Sequence, residues 1–212
     1  FLQLDADSAT DADAFKDFKR TWVFYHTNAD EKYVAALAAA GAQPTIGQVS
    51  WKFVSNLAGI TPEDMPASDI LNLENQGLIL YVHKGNSDNQ TDDKNAAGMY
   101  IDIVHGMDQV KTRVETNLQN TLNTAGKTAY STIGLGTIAA SLNSSLNACY
   151  NDGIIASDVN TGKPLFTTSV PAMSSISNVD VVNRVLKNTT FGYTPSSAVN
   201  TIYVNGSMNE LV

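Results

Sequence analysis

Three groups with acid–base chemistry, Asp102, His105 and Asp108, fall within one short stretch. A histidine between two carboxylates is a donor set for a metal ion or a general acid–base pair. Whether they converge depends on the element that carries them. In the run Gly98–His105, Tyr100, Asp102 and Val104 alternate with Ile101, Ile103 and His105, which predicts a strand over 99–105. On a regular strand Asp102 and His105 point to opposite faces and meet only if the strand bends. His26 and His83 each end a predicted strand, where a histidine is tolerated without a task.

Other spacings carry weaker chemistry. Gly134-Leu135-Gly136-Thr137-Ile138-Ala139 satisfies G-x-G-x-x-A, in which small residues admit a pyrophosphate at a helix N-terminus. The preceding Lys127–Thr132 reads as a weak strand and no βαβ unit brackets the motif, so a glycine-tolerant helix start is the expected role. Asp88, Gln90 and Asp92 have the 1-3-5 spacing of a calcium loop. The sixth position is Asp93 and the twelfth Met99, which removes the turn glycine and the bidentate glutamate, leaving a solvated loop. No G-x-S-x-G, H-E-x-x-H or P-loop occurs. The single cysteine, Cys149, excludes an internal disulfide and reads as a small core residue. The Asn-x-Ser/Thr triplets at Asn89, Asn143, Asn188 and Asn205 follow from an Asn/Thr-rich composition. The expectation is no catalytic residue, no metal and no cofactor.

The elements around these residues are legible by period. A short helix is expected over Ala14–Lys19 with Phe15 and Phe18 inward, a strand over 21–26, a helix over 31–40 closed by Gly41, and a helix start at Thr61-Pro62-Glu63-Asp64. Ser68 is placed as the cap of a helix over 69–76, ended by Gly77. A strand follows over 78–83, and 84–97 reads as a polar connection joining it to 99–105 as a hairpin. Gly106 is expected to break that strand and Asp108 to cap a helix over 109–123, with Val110, Val114, Leu118 and Leu122 as its stripe. A second helix, 133–150, is stopped by Gly153, with a short strand beginning at Ile154-Ile155. A strand over 165–170, a helical or turn segment over 177–183 and strands at 189–193 and 201–205 complete the chain. The fold class is α/β (α+β): a mixed sheet of 21–26, 78–83, 99–105 and 165–170 flanked by helices 31–40, 109–123 and 133–150. Val114, Leu118, Leu142 and Leu146 are expected inside. Residues 1–75 and 76–212 are taken as two parts of the core.

Composition narrows the function. A net charge of −8 over 212 residues lacks the basic footprint of a nucleic-acid binder, so no nucleic-acid partner is expected. No apolar run approaches the ~18 residues needed to span a bilayer, so no membrane partner is expected either. The chain begins at Phe1 without a signal-peptide pattern and reads as a piece of a longer polypeptide.

Motifs in serial order carry a resemblance. Gly98, Tyr100, Asp102, Gly106 and Asp108, then Lys127, Tyr130 and Gly134, form "G-x-Y-I-D-I-x-x-G-x-D" followed by "K-x-x-Y-x-x-x-G". Gly47, Trp51, Lys52, Leu57 and Gly59 precede a T-P segment at 61–68, and Tyr150–Ile155, Pro171–Ser177 with Asp180 and Arg184, and Ala198–Gly206 follow. Together these resemble the C-terminal region of contractile phage tail sheath proteins, in a branch long without assigned function. Gln109 and Thr132 depart from the pattern, where an aromatic and an acid are usual. The resemblance implies a tail-sheath-like C-terminal domain and a structural subunit, not an enzyme. It implies self-assembly into rings or a tube around a tail tube, in a virion assembled in the host cytoplasm. Its partners would be neighbouring copies in a homo-oligomer and the tail tube protein, with terminal arms that add strands to neighbours. The arm here would include Thr201, Ile202, Tyr203, Val204 and Asn205, with the tail 207–212. Two other classes stay open from the residues alone: a small metal-dependent hydrolase using Asp102, His105 and Asp108, and a generic binding or adhesion domain.

Overall fold

The structure, a computed structural model, describes residues 1–42 and 46–205. Its first half is built on a four-stranded sheet in the order β1–β2–β3–β4: β1 Leu2–Leu4, β2 Val23–Tyr25, β3 Leu78–Lys84 and β4 Ser87–Gln90. The first three strands run parallel, and β4 returns antiparallel with Gln90 opposite Tyr81. β3 is buried from Leu78 to Val82, the continuous apolar run of a strand covered on both faces. One face packs Phe24, Ile79 and Tyr81 against Tyr33 and Leu37 of α1 (Tyr33–Ala40), against Trp51, and against Ile101 and Val104. The other packs Leu4, Val23, Leu78 and Leu80 against Phe15 and against Ile70 and Leu73 of α2 (Ala67–Asn75).

The second half is a helical hairpin, α3 Ile101–Thr124 and α4 Thr132–Asn151. Val110 and Val114 of α3 meet Leu142, Leu146 and Cys149 of α4, with Ile154 and Ile155 closing the cluster. A two-stranded antiparallel ribbon, β5 Phe166–Ser169 with β6 Thr190–Tyr193, leans on this cluster through Phe166 and Tyr193. Between them lies α5, Asn178–Val182, whose N-cap Ser177 accepts from the Asp180 N–H. The class is the mixed α/β one expected.

Several expected elements differ. Residues 99–105 are not a strand, because α3 begins at Ile101. Ile101 and Val104 are three apart, so the same residues also make a helical stripe, continued by Val110 and Val114. β4 already occupies the free edge of β3, which leaves no place there for a 99–105 strand. Gly106 does not break the chain; it is buried inside α3. A Cβ at Gly106 would stand 3.0 Å from Ile154 Cγ2, and one at Gly47 would stand 2.8 Å from the Gly106 Cα, so both approaches need this position bare. Asp108 is therefore mid-helix and caps nothing; its carboxylate pairs with Arg20.

The expected 84–97 connection contains β4, so the hairpin is 78–84 with 87–90. The strand at 165–170 belongs to the separate ribbon, not to the main sheet. Thr61–Asp64 starts no helix: the Glu63 N–H donates to the Tyr81 carbonyl at 2.7 Å, and Glu63 pairs with Val82 as a parallel bridge. α2 is preceded by Pro66 rather than capped by Ser68. Lys127–Thr132 forms no strand, and Ile155 makes only an isolated bridge with Pro195. Phe18 is exposed, since the helical turn is 3-10 and covers Ala9–Phe15. Leu118 is only partly buried and Leu122 is half exposed. A spacing of four rotates about 40° per step around a helix, so the stripe begun at Val110 drifts out from under α4. The strand β1 was unforeseen: three residues followed by acids are too short for a period.

Among the described residues, no helix is long and apolar enough to cross a membrane. The burial order yields a prediction. Leu146, fully buried, should cost about 2–5 kcal/mol when replaced by alanine. Leu118→Ala should cost less than about 2 kcal/mol, because solvent already reaches the side chain. Chemical denaturation of the two variants measures the ranking, and a larger loss at Leu118 would contradict this packing.

Candidate assembly surface

The structure separates the three residues proposed for acid–base chemistry. All lie on α3, with different partners. The Asp102 carboxylate accepts from the Ile103 N–H at 2.7 Å, and burial pushes its pKa up. The His105 ring stacks near Phe1, with centroids 6.4 Å apart, and meets the edge of Trp51 at 5.6 Å. Burial holds its pKa below the ordinary range. Asp108 is taken by Arg20. Among the described residues, no group of three or more His, Cys, Asp or Glu is placed to hold a metal.

The remaining motifs are structural. Ser131 caps α4 by accepting from the Gly134 N–H at 3.1 Å, and a Cβ at Gly134 would stand 2.1 Å from the Ala129 carbonyl oxygen. The preceding turn thus packs directly on Gly134, which is why that position is bare. Asp88 lies on β4 beside His83, at 2.6 Å, while Gln90 on the same strand is buried, so the calcium spacing is never presented on one loop. Cys149 is buried beside Arg113, and burial pushes its thiol up.

The C-terminal chain has a different character. From Thr194 to Asn200 it is strapped to the body. The Ala156 N–H donates to the Thr194 carbonyl and the Ser196 N–H to the Ile154 carbonyl, both at 2.9 Å. Asn200 then makes the last tie. Its Nδ2 donates to Asp93 Oδ1 at 2.8 Å, and Ser50 Oγ lies 3.4 Å from its Oδ1. Asp93 is 1% exposed, and its other oxygen lies 3.4 Å from the Lys52 N–H. Burial holds its pKa above the ordinary carboxylate range, against the opposing pull of Asn200 and Lys52. Asp93 and Asn200 are 107 positions apart, so no local pattern announces the pair.

Beyond Asn200 the ties stop. Thr201–Asn205 forms no strand, and no hydrogen bond joins it to the described residues. Ile202 is 76% exposed, Tyr203 92% and Val204 83%. These are β-prone side chains whose burial is worth about 1.5–3 kcal/mol each for the aliphatic ones. The expected tail 207–212 lies outside the described residues. The β5–β6 ribbon has only two strands, so each presents one edge outside the pair, and Phe191 is 40% exposed on it.

No model of a known protein family matches the chain, and no curated protein sequence does. Solved structures do match. A chain of the anti-feeding prophage (AFP) baseplate superposes with a TM-score of 0.67 over 100% of this chain, at 11% identity. A chain of the PVC sheath complex of an extracellular contractile injection system, in its contracted state, superposes with a TM-score of 0.69 over 98%, at 12% identity. The chain spans 60% and 63% of those chains' lengths. The likeness in fold is of the sheath-like kind that the serial motifs imply.

The strap generates a prediction with a pH sign. Asn200→Ala removes a donor from a buried carboxylate, at a cost of about 1–3 kcal/mol near neutral pH. Because Asp93 keeps its proton to higher pH when folded, this group weakens the fold as pH rises through that interval. Protonated Asp93 needs the donor less, so the cost should shrink toward pH 4. Denaturant unfolding at both values checks this, and an equal cost at each would count against the buried pair.

Proposed function

We propose that this chain is the C-terminal region of a sheath-like structural subunit of a contractile phage tail or phage-derived injection system. The subunit assembles into rings or a helical tube around the tail tube and drives contraction. Its partners are neighbouring copies of itself and the tail tube protein, and it belongs to a particle assembled in the host cytoplasm. The observation that carries this reading is the superposition of 98% of the chain on a chain of a sheath complex in its contracted state. One matched chain belongs to an extracellular contractile injection system and the other to the baseplate of an anti-feeding prophage. A baseplate component of such a system is the second reading, favoured by the other match.

In this reading Thr201–Asn205 is the assembly arm. An exposed β-prone segment gains its hydrogen bonds and its burial together when it joins a sheet edge. Within one chain, Asn200 ties the segment's base to Asp93 and leaves the five residues beyond it free to reach a neighbouring copy. The edges of the β5–β6 ribbon are the receiving surface.

Electron microscopy and sedimentation of the full-length protein test this. Tubes or rings are expected. The double variant Tyr203→Asp, Val204→Pro places a charge on the arm and removes a ladder donor. It should abolish assembly while moving the melting temperature by no more than about 2 °C, since both positions are exposed. A full-length protein that stays monomeric contradicts the sheath reading. A double variant that polymerises normally removes the arm.

A further inference from the structure

His26 follows the last residue of β2 and is 2% exposed. Its Nε2 lies 2.9 Å from Glu31 Oε2, and its Nδ1 lies 2.7 Å from Glu63 Oε1. The second is a close charge contact outside hydrogen-bond alignment. Each carboxylate also holds the opposite loop. Glu31 accepts from the Thr61 N–H at 2.6 Å, from Thr61 Oγ1 at 2.9 Å and from Asn28 Nδ2 at 3.1 Å. Glu63 accepts from the Thr27 N–H at 2.8 Å and from Thr27 Oγ1 at 2.6 Å. Residues 27–31 and 61–63 are thus cross-tied, each giving a carboxylate to the other's threonine, with the imidazole between them. The Tyr33 ring also packs on it, with centroids 5.6 Å apart, and Tyr81 lies behind. Burial raises the Tyr33 phenol well above its ordinary value, so it stays neutral.

A neutral imidazole has one N–H and one lone pair. With a carboxylate at each nitrogen, the neutral ring always turns its lone pair on one of them, and only the doubly protonated ring suits both. We propose that His26, Glu31 and Glu63 form a proton-operated clasp that locks the 27–31 loop to the 61–63 segment. The clasp reaches the sheet through Glu63, whose N–H bonds β3 at the Tyr81 carbonyl. β2 pairs with β3 only as far as Tyr25 opposite Leu80, and Glu63 takes up the edge again opposite Val82. Opening the clasp frees that edge.

The Glu31 carboxylate bounds the closed state on the acid side. The Thr61 N–H, followed by His26, holds the Glu31 pKa at about 2 against an ordinary 4.5. A depressed carboxylate contributes fully above the ordinary value and is lost as pH falls toward the folded one, so Glu31 serves down to about pH 4. The cation meets a carboxylate at each ring nitrogen and the neutral ring suits only one of the two, so the proposed clasp is closed when the ring carries both protons and loosens when it loses one.

Amide hydrogen exchange at Thr27 and Thr61 reads the clasp, since both N–H groups bond to its carboxylates. After correction for intrinsic exchange, protection should fall by about tenfold or more between pH 5.5 and 8.5. His26→Gln, which has no proton to lose, should show no such fall. Unchanged protection in the native protein, or the same fall in the variant, overturns the clasp. Nitrogen NMR of the native His26 ring decides independently of whether the variant folds. Two protonated ring nitrogens at about pH 5.5 are expected, and a neutral ring there overturns the proposal.

Discussion

A buried carboxylate sits at the joint of this fold. Asp93 follows β4 and is almost completely enclosed. Its backbone carbonyl accepts from the Ile101 N–H, which sets the start of α3. Its side chain takes Asn200 and faces the Lys52 N–H. One residue thereby joins the end of the sheet, the first turn of the helical hairpin, the Trp51 segment and the terminal strap. A carboxylate removed from water needs such donors, because an unmatched one is far costlier than an unmatched neutral group. The sheet half and the helical half meet in register because this group has to be satisfied there.

The exposed chain end follows from the same tie. The strap is bonded to the body at Thr194, Ser196 and Asn200, and the next five residues make no hydrogen bond to the described residues. A run of Ile, Tyr and Val in water is unfavourable for an isolated chain, and an edge strand without a partner is a template for pairing. In a protein that works as one copy among many, that exposure is a source of association free energy. Under the proposed role such an end would have a neighbour to bind; the fold likeness itself is to a chain of a PVC sheath complex and a chain of an anti-feeding prophage baseplate.

Much of the architecture was legible, and the failures have physical causes. β3 was evident because Leu78–Val82 is a continuous apolar run directly after Gly77. α4 was evident because Leu142, Leu146 and Cys149 keep helical spacing through its second half. Residues 99–105 misled because so short a window fits two periods, and the choice was made by β4 closing the sheet edge. Gly106 misled for the same reason, since its small size answers Ile154 and Gly47, both distant in sequence. Of the candidate surface, the β-prone composition of 201–205 could be read directly. Its release at Asn200 could not, because that depends on a partner 107 positions away, nor could the pairing of His26 with Glu31 and Glu63 across two loops.

The central claim is that Thr201–Asn205 belongs to a neighbour's sheet rather than to its own. Cryo-electron microscopy of the assembled particle at side-chain resolution tests this most directly. The account predicts the segment as a strand hydrogen-bonded to an adjacent copy, with Ile202 and Val204 or Tyr203 buried between subunits and the Asn200–Asp93 tie intact at its base. Density showing the segment folded onto its own body, or free in solvent while the subunits are joined elsewhere, would contradict it.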